Sequence, residues 1–186
     1  CLTCFLWSCL RSKSLGRHPR HEELNAIVGR ALSSAGYPTI LEPPGVCRSD
    51  GKRPDGITLF PFERGLSLAW DSTCVDTLAP TNLRESSLGH GRAATAAELT
   101  KEMKYEELRG VVSFVPLGFE TIGSWGESSV NFLTKLAKLI KAKTGEVRSG
   151  AFLKQRLSIA IQRGNAASIL GAAPNSGQLD EIFRMP

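Results

Sequence analysis

No apolar run in this sequence approaches the roughly 20 residues that a membrane-spanning helix requires. The opening CLTCFLWSCL is ten residues long and has no basic segment before it, so neither a span nor a signal peptide is expected. Cysteine is sparse and odd in number: of five, Cys1, Cys4 and Cys9 crowd one end while Cys47 and Cys74 stand apart. That pattern is no disulfide framework and fits a reducing compartment. Low-complexity stretches and repeats of solenoid period are also missing, and the 18 Gly and 10 Pro are spread along the chain. Methionine is nearly absent, the first being Met103, so residues 1–15 are expected to be the remnant of a longer segment. What remains, 186 residues at 41% hydrophobic content, is enough for one domain with a core and short for two.

Acidic residues are scarce where basic ones gather. From Ser128 to Asn165 eight Lys or Arg stand against Glu146 alone, and Arg11, Lys13, Arg17 and Arg20 form a second basic cluster. Both a polyanion-binding surface and a solvated helix face account for such clustering.

Hydrophobic spacing predicts the elements. Leu24, Ile27, Val28, Ala31 and Leu32 recur at helical intervals from Pro19 to Ser34, with Glu22 and Glu23 in the first turn and Gly36 at the end. Thr39 to Glu42 reads as a short strand, stopped by Pro43 and Pro44. DGITLFPF and LSLAWDSTCV read as two strands joined by a turn at Glu63-Arg64-Gly65, and alternation in the second sets Asp71 on the side opposite Trp70. Pro80 to Gly91 reads as a polar loop and Arg92 to Leu108 as a helix. Val111 to Phe119, nearly continuous in apolar residues, is expected to be a central strand covered on both faces. Two helices follow: Val130 to Lys143, with Lys135, Lys138 and Lys141 outward, and Ser149 to about Arg163, burying Phe152, Leu153, Leu157, Ala160 and Ile161. The fold class expected is α/β, a mixed sheet flanked by helices, in the order α-β-β-β-α-β with extra C-terminal helices.

Asp55 opens one strand of the hairpin and Asp71 lies inside the next. Two carboxylates on adjacent strands with a basic residue nearby suit divalent-metal phosphodiester cleavage: hard oxygens hold Mg²⁺, and an ammonium stabilises charge developing on phosphate. A plain turn residue between Pro54 and Gly56 accounts for Asp55 as well, on local grounds. Asp71 is harder to place without a partner, because an acid beside Trp70 and the β-prone Thr73-Cys74-Val75 is costly to bury; an ion pair or a backbone N–H also meets that cost.

RPD followed by WDST resembles the PD-(D/E)xK nuclease signature. More narrowly, GRHPRHEELN, LEPPG, DGKRPDG, WDSTCVDTLAP, KEMKY and QRLSIAIQRGNAASILG, in that order, resemble the restriction-like endonuclease region that follows the reverse transcriptase in non-LTR retrotransposon polyproteins, over about Gly16 to Gly171. The resemblance implies an endonuclease domain at 16–171 and a C-terminal tail at 172–186. It implies Asp55 and Asp71 as ligands of Mg²⁺ or Mn²⁺, and a catalytic lysine moved to the following helix in a K-x-x-x-Y pattern, supplied by Lys101 and Tyr105 with Lys104 adjacent. An ordinary surface lysine is the plainer account of Lys101. Glu23 on the first helix is the candidate third acid, and a helix N-terminal charge is its plainer account; Glu120, at the end of the last strand, either lines the same cleft or is solvated.

DNA is the implied partner, gripped by Lys135, Lys138, Lys141, Arg148, Lys154, Arg156 and Arg163. Reverse transcriptase and element RNA would belong to the same polyprotein, acting inside the cell at the nucleus and without a membrane. A decayed copy that binds nucleic acid and does not cut is the alternative. Two departures bear on this. Thr73 stands where the wider superfamily has its lysine. The zinc knuckle of Cys, Cys, His, Cys type that precedes this region is incomplete, since Cys1, Cys4 and Cys9 are present but Phe5 stands where the histidine falls; a site completed by His18 or His21 keeps a workable C-x-x-C spacing, yet no intact zinc site is expected.

Overall fold

The computed structural model describes residues 16–46 and 49–171. The cysteines Cys1, Cys4, Cys9 and Cys47, the basic residues Arg11 and Lys13, and the tail at 172–186 lie outside the described residues. The chain is α/β, with one four-stranded mixed sheet and helices on both faces.

Helix α1 (Arg17–Ser34) buries the expected stripe of Leu24, Ile27, Val28, Ala31 and Leu32. It starts two residues earlier than its apolar pattern suggests, which places Glu22 and Glu23 beyond the first turn. Strand β1 (Thr39–Leu41) pairs antiparallel with β2 (Gly56–Glu63). β2 turns directly into the antiparallel β3 (Leu66–Val75) through Arg64 and Gly65, both at positive φ, 50° and 77°. Two consecutive positive φ values match the right-handed twist of the flanking strands, and glycine meets that demand at no steric cost. From Val75 the chain crosses over through the short α2 (Leu83–Ser87) and α3 (Arg92–Lys104), then a 3₁₀ turn at Glu106–Leu108, into β4 (Ser113–Glu120), which runs parallel to β3. Helices α4 (Glu127–Thr144) and α5 (Ser149–Gly171) close the described chain.

Alternation along β3 sorts the core. Leu68 and Trp70 join Leu117 and Phe119 of β4 on one face, beneath α1, α4 and α5. Ala69 faces the other way, with Tyr105, Leu108 and Val112 at the end of α3. Trp70 is fully buried, and its ring leaves no room for a side chain at Gly56 on the neighbouring strand.

Four expectations are corrected. β4 is an edge strand, since the sheet order is β1-β2-β3-β4; it reads as central because α3 and α4 cover its two faces, which makes an edge strand as apolar as an interior one. The loop from Pro80 to Gly91 contains α2, whose five residues bury nothing and so leave no hydrophobic stripe to detect. The helix expected to reach Leu108 stops at Lys104, where Tyr105 leaves helical geometry and its ring packs beneath the sheet. Phe152 is exposed rather than buried, with the Arg148 guanidinium over its ring at 4.8 Å; a cation on the aromatic face gives it a partner without a place in the core.

Candidate active site

The register pairs Gly56 with Trp70, and Asp55, one residue before the ladder, donates its N–H to the Trp70 carbonyl at 2.9 Å, which sets it beside the strand that carries Asp71. The two aspartates therefore stand just past the paired part of the hairpin, with Asp71 midway along the parallel ladder of β3 and β4, opposite Pro116.

Asp71 is 3% exposed. One oxygen accepts from Lys101 Nζ at 2.5 Å. The other lies 2.6 Å from the Tyr105 hydroxyl and 4.0 Å from Lys104 Nζ. Lys101 and Tyr105 are four apart, so α3 and its C-terminus project both toward the same carboxylate. The Tyr105 hydroxyl also reaches the Arg53 carbonyl at 2.8 Å, which ties the segment carrying Asp55 to the acid on β3. Ring packing fixes the phenol: Tyr105 lies 4.6 Å from Phe114, centroid to centroid.

Asp55 is held from the other side, by α1. One oxygen is 3.1 Å from His21 Nε2, and the other accepts the Ser72 backbone N–H at 2.7 Å. Burial pushes the Asp55 carboxyl up, but the His21 bond and charge, the Ser72 N–H and the Asn25 amide outweigh it and leave the group below 3.8. The same contact raises His21 above 6.5 against the opposing cost of burial; the charges of Asp55 and Asp71 add to the rise and Lys101 opposes it. His21 thus feels both aspartates and the lysine, which draws the four groups into one electrostatic unit.

Asn25 fixes this arrangement. Its Oδ1 accepts from Trp70 Nε1 at 3.1 Å and from Ser72 Oγ at 2.7 Å. Because an indole N–H only donates, the amide oxygen must face Trp70, so the amide nitrogen faces His21, 3.1 Å away. A cavity of about 540 Å³ opens beside the pair, with His21 and Lys101 in its wall.

Sequence reasoning missed His21, Asn25 and Ser72. The available signal was a polar residue, Asn25, inside the apolar face of α1, with His21 one turn before it. Glu23 does not join the site. Two residues past His21 it points around the helix, where it pairs with Arg30 at 3.1 Å. Glu120 is neither solvated nor beside the aspartates' oxygens: it is 1% exposed and accepts the Ala94 N–H at 3.3 Å. Glu98, likewise buried, accepts the backbone N–H groups of Gly118, Ser128 and Ser129 and anchors the start of α4.

The expected nucleic-acid contacts lie elsewhere on the molecule. Lys138, Lys141, Arg148, Lys154 and Arg156 are exposed along α4 and α5, and Arg163 is half-buried on α5. Lys135 pairs with Glu63 and lies over the Phe62 ring at 5.1 Å. None of the seven lines the cavity at the aspartates. No described helix is long and apolar enough to cross a membrane. No protein-family model matches the chain, and a comparison with curated proteins finds no relative.

Proposed function

We propose that this chain is a metal-dependent endonuclease domain that nicks DNA by phosphodiester hydrolysis, of the restriction-like PD-(D/E)xK kind, from the polyprotein of a non-LTR retrotransposon. The observation that carries the reading is that Asp55 bonds both chain neighbours of Asp71, the Trp70 carbonyl and the Ser72 N–H, while Lys101 Nζ lies 2.5 Å from Asp71 itself. The element order α-β-β-β-α-β within the described chain, with β3 and β4 parallel, agrees with it once the short α2 is set aside.

The donor set fits a hard divalent cation. Two carboxylates bring four oxygens, and Mg²⁺ is held by one or two carboxylates with water completing the shell. Asp55 and Asp71 would hold it, with no third His, Cys, Asp or Glu placed to join them among the described residues. When bound, such an ion acidifies an attacking water and polarises the phosphate. The chain's own residues do the rest. His21, Ser72 and Asn25 keep Asp55 ionised at neutral pH and aim it. Lys101 neutralises a buried carboxylate and presents an ammonium beside the cavity, where charge develops on a phosphate. Tyr105 fixes Asp71 against the Arg53 backbone, which holds the segments that carry the two acids together.

A second reading, a nucleic-acid-binding remnant that no longer cuts, draws on the fact that all four carboxylate oxygens already have protein partners. Nicking of supercoiled plasmid with Mg²⁺ or Mn²⁺ separates the two. The expected outcome is open-circular product that needs metal and is lost in Asp55→Asn and Asp71→Asn. Plasmid left intact by the wild-type chain, with DNA still bound, would favour the remnant.

A further inference from the structure

We infer that the cavity between the first turns of α1 and the C-terminal half of β3 is a subsite for a DNA phosphate flanking the scissile one, with Arg17 and His18 as its direct contacts. This rests on the endonuclease reading and adds to it a place where the substrate strand is held. The cavity is about 540 Å³, within the range of pockets that take small ligands and larger than a lone phosphate needs. Arg17, His18, Arg20, His21 and Lys101 line it together with Thr73, and no carboxylate is among its lining residues. Lys101, His21 and Arg20 already bond other groups of the protein, so the recognition falls to Arg17 and His18; a guanidinium donates hydrogen bonds and accepts none, and the ligand that suits it brings negative charge and acceptor oxygens.

Position narrows the ligand further. His21 and Lys101, which close the wall, are the groups that bond Asp55 and Asp71. A phosphate in the cavity is therefore next to the acids rather than on them. Arg20 is committed to structure, since it is buried and donates to Asn165 Oδ1 at 2.8 Å. Arg17 and His18 are exposed on the opening turn of α1. The basic residues of α4 and α5 form a different surface, so the two act as separate contacts with separable effects.

The test is fluorescence anisotropy of a labelled DNA duplex in EDTA, where no cutting intervenes, across a salt series. Arg17→Gln/His18→Gln is compared with the wild-type chain and with Lys138→Gln/Lys141→Gln. The expected result for Arg17→Gln/His18→Gln is binding roughly three- to tenfold weaker, and a slope of log K against log salt shallower by about 0.9, the value for one lost phosphate contact. In nicking assays the same variant should raise KM for DNA with kcat nearly unchanged, whereas Asp55→Asn removes kcat and leaves binding. Unchanged affinity and slope in Arg17→Gln/His18→Gln, or no salt-sensitive binding by the wild-type chain, would overturn the subsite. An absence of metal-dependent nicking with the altered slope still seen would instead overturn the endonuclease reading alone.

Discussion

Lys101 Nζ lies 2.5 Å from Asp71 Oδ1, and the carboxylate it meets is almost wholly out of solvent. A buried carboxylate without compensation is costly, so this pair has a structural role as well as a chemical one. Lys101→Met should lower stability by about 1–3 kcal/mol, less than a fully buried pair would lose because Tyr105 and Lys104 still reach Asp71. It should also cut nicking by at least about 100-fold, the scale of losing one charge-stabilising donor. Urea unfolding and plasmid nicking on the same preparation check both. Nicking at the wild-type rate would remove Lys101 from the chemistry and leave it a structural partner.

Tyr105 joins the two acid-bearing segments through one hydroxyl, which serves Asp71 and the Arg53 carbonyl with a single proton. Tyr105→Phe keeps the ring against Phe114 and removes only that link. Stability should fall by about 1 kcal/mol. If the hydroxyl sets the spacing of the acids, kcat should drop roughly tenfold with KM for DNA unchanged, since small misplacements at a reacting centre are felt in rate. A rise in KM alone would point to a contact with DNA instead.

The hairpin and the shared face of Lys101 and Tyr105 were legible in the sequence, because each follows from a local period: two along a strand, four along a helix. His21 was not legible, since it meets Asp55 across 34 residues and only the packing of α1 on β3 brings them together. The same holds for Asn25, whose bonds to Trp70 and Ser72 span 45 and 47 residues. Glu23, a candidate third acid with a plainer account as a helix N-terminal charge, is turned by helix geometry toward Arg30. The edge position of β4 was hidden because apolarity reports coverage of the faces and says nothing of pairing at the sides.

The pair His21–Asp55 makes stability depend on pH. His21 is raised above 6.5 in the folded chain, so its contribution is complete below 6.5 and fades as pH rises through the raised value. Asp55 is lowered below 3.8, so its contribution is complete above 3.8 and fades as pH falls through the lowered value. Both are in full between 3.8 and 6.5. The Tm of the wild-type chain in EDTA should therefore exceed that of His21→Gln most within this window, with the gap narrowing above it. The effect should be modest, because the His21 side chain is 41% exposed and solvent screens it. A gap independent of pH from 4 to 9 would mean that packing, not charge, is what His21 supplies.

Gly56 and Trp70 test whether the core itself aims the site. A methyl at Gly56 would overlap the Trp70 indole, which is fully buried and cannot retreat into solvent. The indole N–H holds Asn25, and Asn25 in turn holds Ser72 and faces His21, so a displaced ring disturbs every partner of Asp55. Gly56→Ala should cost about 1–3 kcal/mol, the range for overpacking. Gly65→Ala supplies the comparison: it strains a turn at φ 77° with nothing within 4 Å of the new methyl, and should cost about 1 kcal/mol. Nicking measured well below both melting temperatures should then fall in Gly56→Ala and stay near wild type in Gly65→Ala. Equal losses in the two would show that activity follows global stability, whereas a loss confined to Gly56→Ala means that the buried tryptophan sets the position of the acid one residue away.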